Sequence, residues 1–230
     1  MDIKTNLAST QERIKAAQDR SNNAADEVLL LAVSKTFAPD VIQKALDAGQ
    51  YDLGENKVQE IQNKFPVLPA ARWHMIGHLQ TNKVRHLIDK VVMIHSLDRI
   101  DLAKEINKRA QNANLIMPCL VQVNIAEDEK KFGLAENELI DFLQAMTDYP
   151  ALCVEGLMTI GPYCSDPEEV RPLFANLRKL RDKIAGLGIP DVEMKHLSMG
   201  MSGDYEVAVE EGATIVRVGS GIFGARNYNI

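Results

Sequence analysis

One pattern recurs eight times along this sequence and restricts its fold more than any other feature. Each repeat has a short apolar run, a polar turn and then apolar residues at helical spacing. The apolar runs begin at Leu29, Tyr51, Trp73, Val91, Met117, Cys153, Glu193 and Thr214. Eight strand–loop–helix units are what a (β/α)8 barrel requires, whereas a doubly wound sheet usually needs fewer. The sequence therefore predicts an α/β fold, a single (β/α)8 TIM barrel.

The barrel accounts for the whole chain, residues 1–230, as one domain. No linker rich in Pro, Gly or Ser interrupts it. The segment from Thr5 to Asn22 precedes the first strand and carries a few apolar residues among Gln, Lys, Arg and Asp. We expect it to form an extra N-terminal helix that covers the bottom of the barrel. We also expect the segment His78–Lys83 to open the third barrel helix.

Composition excludes several classes of function. The formal charge is −6, with 32 acidic and 26 basic residues, which argues against a general nucleic-acid or anionic-membrane binder. The sequence has no apolar stretch of membrane-spanning length and no signal peptide, so we expect a cytoplasmic protein. Cys119, Cys153 and Cys164 lack the spacing of a disulfide framework or metal site, and we expect them to be reduced packing residues.

Barrels of this type carry their active sites at the C-terminal ends of the strands. The residues that follow the apolar runs here are polar and include a single lysine. They are Lys35, Asn56, His78, Ser96, Asn124, Thr159, Ser198 to Ser202 and Gly219 to Gly221.

Lys35 follows an unbroken apolar run, Leu29–Val33, that is typical of a strand buried on both faces. In a strand Lys35 shares a face with Leu31 and Val33, so its amine emerges inside the barrel mouth if that face lines the barrel. A partly desolvated amine is a better nucleophile. The alternative is a solvated lysine that only ends a strand.

Two segments near the end of the chain have the composition of phosphate-binding loops. Residues 198–203 and 219–221 offer small side chains, hydroxyls and backbone N–H groups, and the first leads into a helix whose N-terminus attracts anions. Strands seven and eight are also where such barrels most often bind phosphate. Tight turns use the same residues, so it is the pair of loops that indicates a phosphate site.

Arg217 lies inside the last apolar run, where a charge is excluded unless it has a partner. Its side chain faces away from those of Val216 and Val218. It either points at a ligand near the barrel mouth or pairs with a buried carboxylate such as Glu155 or Glu193. A strand-end lysine, a phosphate cradle and an inward arginine together indicate a site for a phosphorylated aldehyde held as a Schiff base.

Several segments carry a resemblance to a known family. They are Ala32–Thr36, Gly54–Asn56, Trp73–Lys83, Gly156–Thr159, Leu197–Asp204 and Arg217–Gly224. Together they resemble the pyridoxal phosphate homeostasis protein family, and the similarity runs nearly end to end. The resemblance implies a fold type III barrel, similar to the N-terminal domain of alanine racemase, that binds pyridoxal 5′-phosphate (PLP).

The resemblance also implies residue roles. Lys35 would hold PLP as a Schiff base, and Arg217 would face the pyridine nitrogen. The residues implied to bind the phosphate are Ser198, Ser202, Gly219 and Ser220. The residues implied as pocket walls are Asn56, His78 and Met199. Lys131 matches a lysine implicated in cofactor transfer, although Phe132 replaces a residue that is usually smaller.

Racemases of this fold use a second acid/base, by resemblance a tyrosine from the C-terminal β-domain of a partner subunit. The sequence ends at Ile230 without that domain, and neither Tyr163 nor Tyr228 is an obvious substitute. We therefore expect a monomeric carrier that serves PLP and amino-acid homeostasis, with apo PLP-dependent enzymes as candidate recipients, rather than an enzyme.

Three alternatives remain. One is a racemase or decarboxylase with a minimal active site. Another is a Schiff-base aldolase for phosphosugars, which would use the same type of lysine without a cofactor. A metal enzyme is the weakest: His74 and His78 have i,i+4 spacing, but the sequence has no HExxH motif and His74 lies inside an apolar strand, so core packing is the better account of it.

Overall fold

The computed structural model describes residues 2–126 and 131–224, and within them the chain forms a closed barrel of eight parallel strands. The strands are β1 (Leu29–Val33), β2 (Asp52–Glu55), β3 (Arg72–Met75), β4 (Val91–Leu97), β5 (Met117–Gln122), β6 (Leu152–Met158), β7 (Val192–Met201) and β8 (Ile215–Val218). Neighbouring strands pair in chain order, and β8 returns to pair with β1. The predicted (β/α)8 barrel is confirmed.

Helices connect most of the strands. The α-helices are α1 (Ile3–Asp19), α2 (Pro39–Asp47), α3 (Val58–Lys64), α4 (Ile100–Asn112), α5 (Leu139–Ala145), α6 (Arg171–Ala185), α7 (Tyr205–Glu210) and α8 (Ser220–Phe223). None of the described helices combines the length and apolar character needed to cross a membrane.

The apolar core has two parts, because successive side chains of a strand point to opposite faces of the sheet. One part fills the barrel interior and consists of Leu31, Val33, Ile76, Met93, Leu120, Met158 and Ile215. The larger part lies between the strands and the outer helices and includes Trp73 and Phe174, both completely buried.

The N-terminal helix forms as predicted but has a different place. α1 contacts α2, α7 and α8 in the outer helical layer rather than capping the bottom of the barrel. The reason is the short α8, whose four residues leave the outer face near β8 and β1 to be covered by the apolar side of α1. The amide of Asn6 fixes this contact by donating to Ile222 O at 2.8 Å.

The third helix is also different from the prediction. Between β3 and β4 the chain forms a single short 3-10 helix, Thr81–His86, rather than an α-helix that opens at His78. Val84 is the residue buried within this helix, and the neighbouring apolar residues Leu79, Leu87 and Ile88 are buried outside it.

Candidate functional site

Lys35 lies at the carboxyl end of β1, directly beyond the interior residues Leu31 and Val33. Its side chain is half-buried, and Ser34 before it is completely buried. The turn continues through Thr36, whose φ of 70° is in the left-handed region that non-glycine residues adopt at an energetic cost. The lysine is therefore presented from a strained turn on top of a packed strand.

Arg217 lies inside the barrel on β8, the strand next to β1, and the register pairs it with Leu31. Its side chain is buried, and Nη1 donates to Ser198 Oγ and Nη2 to Thr159 O, both at 2.7 Å. Burial lowers the pKa of Arg217 to about 10, while Asp204 favours the charged form. Arg217 thus remains a cation at neutral pH.

The alternative that Arg217 pairs with a buried carboxylate is not what the structure shows. Among the described residues, no carboxylate forms a salt bridge with Arg217, and Glu193 pairs with Lys195 instead. The hydrogen bonds of Arg217 go to neutral oxygens and use two of its five N–H donors. A buried cation so surrounded favours an electron-rich or anionic ligand beside it.

A chain of buried polar side chains continues from Ser198 down the barrel interior. Ser198 Oγ lies 3.1 Å from His95 Nδ1, and His95 Nε2 lies 3.0 Å from His74 Nδ1. His74 Nε2 then lies 3.3 Å from Asp52 Oδ1 at the start of β2. Burial holds the pKa of His95 well below its usual value. His74 was expected to be a packing residue, and this chain could not be predicted because its members are separated in sequence and meet only inside the barrel.

Asp52 anchors the lower end of that chain and makes the protein sensitive to acid. Although burial opposes it, hydrogen bonds from His74 and Arg72 lower the pKa of Asp52 to about 2, from 3.8. A carboxyl with a lowered folded-state pKa stabilises the fold above its unfolded-state pKa, and this stabilisation is lost as the pH falls through the folded-state value. The difference corresponds to about 2 kcal/mol.

We expect the urea midpoint of the wild-type protein to fall between about pH 5 and pH 2 as this contribution is lost. Asp52→Asn should be less stable at pH 7 and should show a flatter pH dependence, which urea titrations at several pH values will measure. Asp47→Asn, an exposed change at the end of α2, is the control. Equal slopes for wild type and Asp52→Asn would contradict the assignment.

The loops after β7 and β8 meet at one hydroxyl. Ser202 Oγ accepts from Gly219 N at 3.1 Å and from Gly221 N at 3.5 Å, so two backbone donors converge on one oxygen. Ser220, between them, is exposed. A Cβ on Gly203 would meet no atom within 4 Å, so the loop borders open space there. Converging N–H donors, hydroxyls and room beside them are what a phosphate group requires.

Gly200 allows the first of these loops to form. Its φ is +87°, and a Cβ at this position would lie 2.5 Å from Ala208 Cβ and 2.9 Å from Tyr205 Cα. Only glycine fits so close to α7 in this conformation.

Two residues with predicted roles in the site have their side chains elsewhere. The Ser198 hydroxyl is completely buried and bonded to Arg217 and His95, so it is used in the interior rather than in the loop. Met199 follows it on β7 with a side chain completely buried in the larger core, as strand alternation requires. A phosphate role for Ser198 and a pocket-wall role for Met199 stay predictions.

The opposite wall of the mouth is formed by the loops after β2, β3 and β5. Asn56 is half-buried beside Gly77, where a Cβ would lie 2.3 Å from Asn56 O. The His78 ring stacks on Phe132 with ring centroids 3.8 Å apart and an angle of 16° between the planes. Lys131 Nζ donates to Ile160 O at 3.4 Å. The roles of Asn56, His78 and Lys131 stay predictions.

The other residues considered in the sequence are two tyrosines and three cysteines. Tyr163 is 98% exposed in the loop after β6, and Tyr228 lies outside the described residues. Cys119, Cys153 and Cys164 are free cysteines.

Comparisons with known proteins agree with this geometry. Residues 5–227 match the family model described as alanine racemase, N-terminal domain. The chain is 46% identical over 224 residues to the pyridoxal phosphate homeostasis protein of Aquifex aeolicus, covering 96% of this chain and 97% of the relative. It is 38% identical to the protein of the same name from Escherichia coli K12, covering 99% and 98%. A solved structure of PipY from Synechococcus elongatus with PLP bound superposes with a TM-score of 0.85 at 33% identity, covering 96% of this chain and 100% of PipY.

Proposed function

This chain belongs to the pyridoxal phosphate homeostasis protein family, and on that premise we propose that it binds PLP as a Schiff base on Lys35. In this proposal it maintains the cytoplasmic supply of the cofactor and of amino acids, without robust catalysis of its own. It acts as a monomer, and apo PLP-dependent enzymes are its transient recipients.

The observation that carries the proposal is the surroundings of Arg217. A buried cation with neutral hydrogen-bond partners lies on the strand next to the one that presents Lys35. The backbone N–H groups of Gly219 and Gly221 follow β8 and converge on the hydroxyl of Ser202, which follows β7. These groups fit the three features of PLP: an aldehyde for the amine, a ring nitrogen for the arginine and a phosphate for the loops.

Ser202, Gly219 and Ser220 would hold the phosphate, and Asn56 and His78 would border the ring. PLP supplies an aldehyde that condenses with amines and a ring that withdraws electrons from the resulting bond. Lys35 must be neutral to act as the nucleophile. Lys35 is half-buried at the end of β1, the strand next to the one that carries Arg217.

Arg217 also explains why the proposed role is carriage rather than catalysis. A guanidinium donates hydrogen bonds but accepts no proton, so it leaves the ring nitrogen unprotonated. An unprotonated ring is a weaker electron sink than one protonated beside a carboxylate. The site therefore retains the cofactor and gives little stabilisation to a carbanion at the α-carbon of an amino acid.

The test is to load the purified protein with PLP, reduce it with borohydride and map the modified peptide. We expect PLP fixed to Lys35 and a visible absorption band that bleaches on reduction. A colourless protein with no modified lysine would contradict the proposal and would favour an aldolase that needs no cofactor.

Catalysis is tested separately by incubating the loaded protein with D- and L-amino acids in heavy water. We expect little or no exchange of the α-proton, measured by NMR, because the ring is a weak electron sink. Exchange or decarboxylation at ordinary enzyme rates, a kcat of roughly 1 per second or more, would instead identify a minimal racemase or decarboxylase.

A further inference from the structure

Three charged side chains are packed beneath the turn that carries Lys35. Lys64, the last residue of α3, has a side chain that is only 7% exposed, and its Nζ lies 2.7 Å from both Glu55 Oε1 and Glu60 Oε2. Glu55, at the end of β2, is completely buried. We refer to Glu55, Glu60 and Lys64 as the Lys64 cluster.

The cluster holds the residue before Lys35. The Ser34 hydroxyl donates to Glu55 Oε1 at 2.7 Å, and Lys64 Nζ donates to Ser34 O at 3.0 Å. Ser34 N also donates to Gly54 O at 3.1 Å on the neighbouring strand. Both the backbone and the side chain of Ser34 are therefore fixed.

The same cluster holds the residue after Lys35. Thr36 N donates to Glu60 Oε2 at 2.8 Å, the same oxygen that Lys64 contacts. Thr36 is the residue with φ of 70°. A backbone held in this region is strained and persists only when its surroundings hold it there. Glu60 provides such a hold.

Stability alone is a poor explanation for the cluster. Desolvation of a buried ion pair often offsets its Coulombic attraction, so apolar residues of similar volume would serve as well. Glu55 Oε2 is buried without a hydrogen-bond partner among the described residues, which adds to the cost. Burial raises the pKa of Glu55 to about 7. The cluster instead fixes the position of the chain on both sides of Lys35.

We propose that Lys64, acting through Glu55 and Glu60, is a positioning residue that sets the direction in which Lys35 leaves the strand. The inference rests on the proposed function. In the step concerned, the amine nitrogen attacks the aldehyde carbon, a carbon–nitrogen double bond replaces the carbon–oxygen double bond, and the oxygen leaves as water. A loosened turn slows that step, while the ring and phosphate contacts remain.

The test compares two ligands that differ only at the reacting group. PLP has the aldehyde, whereas pyridoxine 5′-phosphate has an alcohol and forms no covalent bond. In Lys64→Met we expect the rate of Schiff-base formation to fall about tenfold or more, because a misplacement of 1 Å can cost roughly 10²-fold. The Kd for pyridoxine 5′-phosphate should stay within about twofold of the wild-type value, since no phosphate or ring contact changes. Lys44→Met, which removes an exposed lysine from the end of α2, is the matched control.

Because Lys64→Met leaves the buried Glu55 and the half-buried Glu60 without their cation, Glu60→Ala is the second variant. It removes the acceptor of Thr36 N and keeps the Lys64–Glu55 pair, and Glu60→Gln should restore much of the rate because its amide oxygen can still accept. The inference is overturned if Glu60→Ala forms the Schiff base at the wild-type rate, or if both ligands lose affinity equally. Failure of the wild-type protein to form any Schiff base would instead contradict the proposed function.

Discussion

Lys35→Ala is expected to lose the visible absorption band of the PLP-loaded protein completely, because the variant has no amine at the end of β1 to form the covalent bond. The fold should be unaffected, since the side chain is half-buried in a turn and lies outside the apolar cores. Absorption spectroscopy during a PLP titration measures the first effect, and circular dichroism the second.

The variant should still bind pyridoxine 5′-phosphate, since the groups on β7, β8 and their loops are intact. Lys57→Ala is a suitable control because Lys57 is exposed and also follows a strand at this end of the barrel. A band that persists in Lys35→Ala would show that PLP reacts with a different amine, and borohydride reduction followed by peptide mapping would identify it.

The barrel could be predicted from the sequence because its signal is repeated. Each apolar run is buried on at least one face and is followed by a polar turn, so eight weak patterns support one architecture. The third helix could not be predicted in the same way. Leu79, Val84 and Leu87 are all buried, but their spacing does not indicate that only Thr81–His86 is helical and that it is a 3-10 helix. The position of α1 on the barrel could not be predicted from the pattern either. Its apolar stripe predicts a buried face but does not indicate which part of the barrel that face covers.

The residues of the candidate site also differ in whether the sequence could predict them. Lys35, Arg217 and the glycine-rich loops could be found because each interrupts or ends an apolar run. Hydrogen bonds among distant residues leave no such mark. The pair His74–His95 joins β3 to β4 inside the barrel, and the Lys64 cluster joins α3 to β2 and to the turn after β1. In a sequence, a buried lysine at the end of an amphipathic helix has the same appearance as an exposed one.

Replacing Arg217 by methionine is expected to weaken PLP binding by roughly tenfold to a hundredfold, the loss typical of a hydrogen bond to a charged donor. The absorption spectrum should shift as well, because the ring nitrogen loses its cationic neighbour. Arg217→Lys keeps the positive charge but lacks the pair of guanidinium N–H groups that reaches Ser198 and Thr159. Its absorption spectrum should therefore lie between those of the wild type and Arg217→Met.

Arg178→Met removes an arginine from the outer helical layer and is the control for loss of an arginine as such. Urea titrations of each variant without ligand separate effects on the fold from effects on the site. An Arg217→Met protein that remains folded and gives the wild-type titration and spectrum would place Arg217 in the buried network of Ser198 and Thr159 alone, with no part in binding the ring. Arg217 would then not explain why the PLP ring is a weak electron sink. The exchange experiment with amino acids would become the sole basis for calling the protein a carrier.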